Sequence, residues 1–395
     1  MHRDSQSIYS PDFLWVTLAS FFFFASFQIL FVPLPLYIQH IGGAASTVGM
    51  VLATFALAAV LVRPLMGRLV DTLGRRPLLL LGIGLFILSP LLFIFATSLP
   101  LLMAARALQG VGLAAFTIAS TTWIADLVPA SRRGEAMSNF ASASVLSLAI
   151  LPVVGSSLLR VTSFPVIFAL AAGLALISLV GASARERHGQ AANAGQGHFW
   201  TTVRQRGVWL PSLLVLTLGV AHGAIVSFLP LLVQERGLPD GSLFFTLYAV
   251  AAIVGRGPLG RLSDRLGHAR VIAPLALLAV GAIVLLATAR TLPWFLLAGI
   301  CYGLTFGTAW PLLNALVVNH ASLEVRGAAV GVISTGFDLG VAGGSFLGGL
   351  LVAPLGYGGM YVTTAAICLL GVAAFITGVR ADSPREVPAA EGDTD

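Results

Sequence analysis

Twelve apolar runs, each near the length that crosses a bilayer as a helix, follow one another along this chain with only short charged or proline- and glycine-containing stretches between them. A helical crossing takes about 20 apolar residues. Backbone groups in lipid must be satisfied within the segment, so the runs predict helices. They are too long and unbroken for the alternating pattern of a membrane barrel. The expected spans are 12–39, 46–66, 78–97, 101–125, 136–159 and 164–183, then 208–234, 242–259, 271–289, 292–318, 327–352 and 358–379. With 57% hydrophobic and 10% charged residues, the chain has too little polar surface to clothe a water-soluble core. The first run, Phe13 to Ile38, is too long for a cleavable signal peptide and lacks a small-residue cleavage site.

The chain also repeats itself. Gly67-Arg68-Leu69-Val70-Asp71-Thr72-Leu73-Gly74-Arg75-Arg76-Pro77, a charged hinge between two apolar runs, returns 193 residues later as Gly260-Arg261-Leu262-Ser263-Asp264-Arg265-Leu266-Gly267-His268-Ala269-Arg270. The same offset carries Arg63 onto Arg256, Gly110 onto Gly303, Asp126 onto Asn319, and Arg133-Gly134 onto Arg326-Gly327. One register held through four segments indicates a duplicated fold. The expected organisation is an N-terminal six-helix bundle (1–184), a linker (185–207) containing the polar stretch Gly189 to Gly197, a C-terminal six-helix bundle (208–380) and a charged tail (381–395).

Arginine placement orients the chain. All 22 basic residues are arginine, and with twelve spans 18 of them fall on the side that carries both termini; Arg160, Arg236 and Arg290 lie opposite and Arg106 within a span. The positive-inside rule therefore puts both termini, the hinges and the linker in the cytoplasm. The net charge of +6 reflects this sidedness and calls for no nucleic-acid partner. The absence of lysine removes phosphate-loop and Schiff-base chemistry. Cys301 and Cys368 sit inside apolar runs and imply no disulfide framework. No metal-ligand or nucleophile pattern is present, and Gly110-Val-Gly112-Leu-Ala-Ala115, lacking a preceding strand, reads as a helix-packing motif rather than a dinucleotide fingerprint. Gly336, Gly340, Gly344 and Gly348 likewise give one span a flat packing face. No cofactor or metal is expected, and the chain does not read as an enzyme.

These residues resemble the major facilitator superfamily, more closely its twelve-helix drug/proton antiporter branch, over nearly the whole chain. The loop signature Gly-x-x-x-Asp-x-x-Gly-Arg-Arg is complete as Gly67, Asp71, Gly74, Arg75 and Arg76, and the fourth-helix signature as Leu102, Arg106, Gln109, Gly110 and Gly112. The fifth-helix antiporter signature departs from the pattern: Pro152 and Gly155 remain, with Ser147, Leu151 and Ser156 in the other places, so export against import stays open. The resemblance implies two pseudo-symmetric six-helix bundles and a monomeric secondary transporter of a small organic molecule, working by alternating access and coupled to protons. It further implies a cytoplasmic gate of Gly67, Asp71, Gly74, Arg75 and Arg76 with Asp264 and Arg270 in the second copy. Asp71 is expected to pair with the loop arginines or to sit at a helix N-terminus, and the glycines to allow a tight turn and close helix approach.

A cavity lined by helices 1, 4, 7 and 10, as the resemblance implies, selects Phe24, Phe27, Gln28 and Phe31; Gln109, Phe116, Ser120 and Trp123; His222; and Tyr302, Phe306, Trp310 and Asn314, the last four at four-residue spacing. Aromatic faces with few charges suit amphipathic or apolar compounds better than small anions. Arg106, about 8 Å inside its helix, is absent from the second half, where Gly299 stands, and is read as holding a polar or anionic partner. Asp338 is the sole acid deep within a span, about 16 Å in, pointing away from the glycine face toward helix 2 or the cavity. A carboxyl that is neutral when dry and ionised when water or a cation such as Arg106 approaches suits a proton carrier, with His222 as the second candidate. Export of drug-like compounds leads; import or export of one metabolite, such as a sugar or siderophore, is the alternative, and a channel or intramembrane enzyme belongs to a different class.

Overall fold

The computed structural model describes residues 9–129, 132–183, 205–320 and 326–382, all-helical with no strand among them. The first half comprises α1 (Pro11–Gln28), α2 (Pro33–His40), α3 (Ala45–Leu73), α4 (Arg75–Phe95), α5 (Leu99–Leu127), α6 (Arg133–Leu159) and α7 (Phe164–Ile177), the last continued by the 3₁₀ turn Ser178–Ser183. The second comprises α8 (Arg206–Glu235), α9 (Leu243–Leu266), α10 (His268–Thr288), α11 (Leu292–His320) and α12 (Arg326–Asp382). α12 doubles back at Gly356, whose φ of 67° breaks the helix two residues after Pro354. Ten helical segments are long and apolar enough to cross a membrane. One of them, Ala329–Gly378, holds the Gly356 break, and Phe164–Val180 is a shorter apolar helix. Counting both arms of the broken segment and this shorter helix gives twelve helical passages among the described residues, six in each half. Most of the linker and tail lies outside the described residues.

Helix ends depart from the apolar pattern in two ways. The first span is not continuous: residues 29–32 form turns and α2 starts at Pro33. Proline has no N–H to donate, so Pro33 and Pro35 leave the ladder of hydrogen bonds incomplete here, although Val32 keeps helical dihedrals. At the other end, α3 and α9 run several residues past their apolar stretches, to Leu73 and Leu266. Most of each hinge is therefore helix. Water-exposed turns need no apolar face, so hydropathy does not mark where a helix stops. The stop is set by Gly74 (φ 91°) and its copy Gly267 (φ 89°), a conformation that L side chains rarely adopt.

The repeat is visible in packing. Gly110 lies so close to α3 that a Cβ there would stand 2.2 Å from the Phe55 carbonyl oxygen. Its copy Gly303 has the same relation, also 2.2 Å, to the carbonyl of Tyr248, the copy of Phe55. Gly112 abuts the Gly82 carbonyl, whereas its copy Thr305 donates to the carbonyl of Leu275, the copy of Gly82, at 2.8 Å. The glycine face of α12 packs on α8, Gly340 against the Leu216 carbonyl and Gly344 against that of Val220. Lipid tails give no hydrophobic drive to bring helices together, so such close backbone contact supplies the packing.

The halves meet on the face opposite the hinges. There Arg160, at the end of α6, pairs with Asp240 at 3.0 Å and donates to the Pro239 carbonyl at 2.8 Å. Gln39 donates to the Tyr357 hydroxyl at 3.4 Å, and Gly49 abuts the Ser345 carbonyl and Gly349. On the hinge side, Arg75 pairs with Asp126 of the same half at 2.9 Å.

Candidate functional site

Where the bundles face each other, two chambers of about 130 and 270 Å³ share Phe27, Phe31, His222 and Phe337 as their common wall. A larger cavity, about 640 Å³, opens beside Arg160 and Asp240 on the face opposite the hinges, but those two groups satisfy each other there. The interior chambers are where polar groups from several helices converge on apolar walls, as in a small-molecule site. Aromatic rings build the partition. His222 of α8 lies 5.0 Å from Phe306 and 5.6 Å from Phe337, centroid to centroid, and Trp310 lies 5.0 Å from Phe337.

The smaller chamber is lined by Arg106 and Asp338. Asp338 of α12 pairs with Arg63 of α3 at 2.5 Å, one group from each half. Its side chain is 14% exposed and that of Arg63 is 26% exposed, so neither is fully enclosed. Pairing across the halves matters because stripping one partner leaves an uncompensated charge. Arg106 is only 3% exposed, which excludes snorkelling to the surface. It donates to Gln109 Oε1 at 2.5 Å and stands over the Phe27 and Phe55 rings, 5.8 and 5.2 Å from their centroids. The cation beside Asp338 is thus Arg63 rather than Arg106. The partner of Arg106 is an amide one turn away on its own helix.

In the larger chamber, Gln28 ties α1 to α6, donating to the Ser144 carbonyl at 3.1 Å and accepting from the Ser147 hydroxyl. Arg256 of α9 donates to the Gly307 carbonyl at 3.2 Å. Phe24, Phe27, Gln28, Phe31, His222, Phe306 and Trp310 line this space. Other expected lining residues do not. Phe116 stacks on Phe23, 3.7 Å between centroids, and with Trp123 and Ser120 is buried inside the first bundle. Gln109 is buried behind Arg106, and Tyr302 lies behind Phe306 and Tyr248, its hydroxyl without a hydrogen-bond partner. Asn314 donates to the Trp310 carbonyl of its own helix. Helical periodicity does not tell a face toward the cavity from one toward a neighbouring helix, which explains these displacements.

The hinge residues also sit differently from expectation. Asp71 and Asp264 are exposed in the last turns of α3 and α9, not at helix N-termini, and neither joins an ion pair among the described residues. Arg75 is buried and held by Asp126, while Arg76 and Arg270 are exposed. Gly74 makes the turn; a Cβ on Gly67 would meet nothing within 4 Å, so it serves no close approach here. Sequence reasoning passed over Arg63, Arg256, Tyr248 and Phe337 as site residues. The signal was available for the arginines: both lie inside helices, in repeat register, where an ionisable group needs a partner or a wet cavity.

The sequence matches the profile of the Major Facilitator Superfamily over residues 16–342 and 239–394. It is 28% identical to "Multidrug resistance protein MdtG" of Dickeya zeae (strain Ech586) over 389 residues, covering 94% of this chain and 95% of that one. It is 26% identical to "Multidrug resistance protein 2" of Bacillus subtilis (strain 168) over 364 residues, covering 88% and 90%. The fold superposes on the crystal structure of a bacterial homolog to the human lysosomal transporter Spinster with a TM-score of 0.78 at 15% identity, covering 95% of this chain and 98% of that one. Family profile, helical architecture and internal repeat agree: the chain belongs to the Major Facilitator Superfamily, a multi-pass protein of the cytoplasmic membrane that moves small molecules and is not an enzyme.

Proposed function

We propose that this transporter exports amphipathic organic compounds in exchange for protons, rocking its two halves about the chambers between them. One observation carries the reading: aromatic walls from both halves enclose two chambers, and Asp338, which lines the smaller one, is ion-paired with Arg63 of the other half. The aromatic surface fits apolar bodies of varied shape, and similarity to proteins named for multidrug resistance favours export. The hinge side faces the cytoplasm together with both termini, residues 185–207 link the halves, and the transporter acts as a monomer. In this arrangement the contacts of Arg160 and Gly49 close the outer side.

Asp338 carries the proton. A proton arriving from outside forms an O–H bond on the carboxylate and removes its charge, which releases Arg63 and the contact between the halves. After the halves rock, the proton leaves to the cytoplasmic side and the pair re-forms. Asp71 and Asp264 are free in this arrangement and belong to the cytoplasmic closure that forms when the outer side opens. The test is uptake of amphipathic fluorescent dyes by inside-out vesicles under an acid-interior pH gradient. Gradient-dependent accumulation of chemically unrelated dyes is expected; accumulation of a single compound class, or uptake only in right-side-out vesicles, points instead to a metabolite carrier.

A further inference from the structure

The geometry points to an amphipathic organic anion as the transported species, its anionic group held by Arg256 in the larger chamber and its apolar body on the ring wall of Phe306, Trp310 and Phe337. This names the substrate class of the export reading and rests on it. The argument comes from the repeat. Arg63 and Arg256 occupy equivalent positions, and each lies on a helix that joins the opposite half, α3 against α12 and α9 against α6. In the first interface Asp338 neutralises Arg63 at 2.5 Å. The position equivalent to Asp338 is Val145, which lines the same chamber as Arg256. The second arginine is therefore left without the acid that its copy has.

The protein supplies no substitute. Arg256 donates to the Gly307 carbonyl, and no carboxylate among the described residues pairs with it. Across the shared wall, Arg106 is buried with only a neutral amide and two ring faces for company, and its Nε has no hydrogen-bond partner. The one carboxylate of the two chambers, Asp338, is already paired with Arg63. Among the described residues, two cations thus line the chambers without a carboxylate partner. A carboxylate, sulfonate or phosphonate on the solute would complete the second pair through charge-assisted hydrogen bonds to a planar guanidinium. An inside-negative membrane potential also favours moving an anion outward.

The test uses the full-length purified protein and three probes of one shape: naphthoate, naphthamide and naphthylmethylammonium. Their affinities are read from the concentration dependence of the thermal unfolding midpoint, since a ligand that binds only the folded state raises stability by mass action. Naphthoate should bind about tenfold or more tightly than either other probe. Arg256→Gln should weaken it by about 10- to 100-fold, the worth of a lost charge-assisted bond. Val145→Asp, which puts an acid in the chamber that Arg256 lines, should weaken naphthoate more than it weakens naphthamide. No response to naphthoate, equal affinity for all three, preference for the cation, or unaltered naphthoate affinity in Arg256→Gln overturns the assignment. Vesicle uptake separates this from the export reading. Naphthoate bound but taken up only by right-side-out vesicles keeps the anion and removes export, whereas the cation bound and taken up by inside-out vesicles does the reverse.

Discussion

The two interfaces that join the halves are copies in position and differ in chemistry. Between α3 and α12, Gly49 and Gly349 let backbones touch, and Arg63 meets Asp338. Between α6 and α9, the equivalents of those glycines are Ser242 and Ser156, which both donate to Asp240, at 2.6 and 3.4 Å, and the arginine shares a chamber with Val145, which stands where the copy has an acid. Duplication preserved the frame because every backbone crossing depends on it. The inner surface was free to diverge, and the divergence placed one interface's charge in balance and left the other's open.

The largest effect should follow from neutralising the balanced interface. Asp338→Asn should lower gradient-driven dye accumulation on the order of 100-fold, the lower range for a lost proton-transfer group, while counterflow under no gradient persists. Normal accumulation by this variant would remove Asp338 from coupling and make His222 the next candidate. The frame itself is tested by Gly110→Ala and Gly303→Ala, each of which puts a Cβ 2.2 Å from a carbonyl oxygen. Each should destabilise the detergent-solubilised protein by ~1–3 kcal/mol, as overpacking does. A large difference between them in thermal unfolding would break the equivalence of the two crossings.

A smaller change is expected at Arg106, whose copy is Gly299. Arg106→Lys should leave partial transport, reduced up to about tenfold, because a point ammonium does not reproduce the planar contact with Gln109 and two rings. Parental transport rates in both Arg106→Lys and Arg106→Ala would make the residue dispensable. The mildest contrast concerns the hinges. Asp71→Asn should slow transport a few-fold and Asp264→Asn less, since the second hinge has His268-Ala269 in place of Arg75-Arg76. Equal effects would argue that the two hinges close the cytoplasmic side alike, and no effect in either would leave the arginines as topogenic signals only.

Much of this was legible before any coordinates. Apolar run length alone dictates helices, because lipid offers no hydrogen bonds to an open backbone. The 193-residue register exposes the duplication, and Gly74, Gly267, Gly110 and Gly303 hold the places where only a missing side chain permits the turn or the crossing. The depth of Asp338 and its direction away from the glycine face, toward helix 2 or the cavity, also follow from counting along one helix. What counting does not reach is the identity of partners on other helices. That Arg63 rather than Arg106 meets Asp338, that Trp123 and Phe116 face inward to their own bundle, and that Val145 shares a chamber with Arg256 all depend on helix rotation and on which helices become neighbours. Periodicity gives each helix a face but not an azimuth, and in lipid the azimuth is set by close packing between helices, which is a property of the assembled bundle.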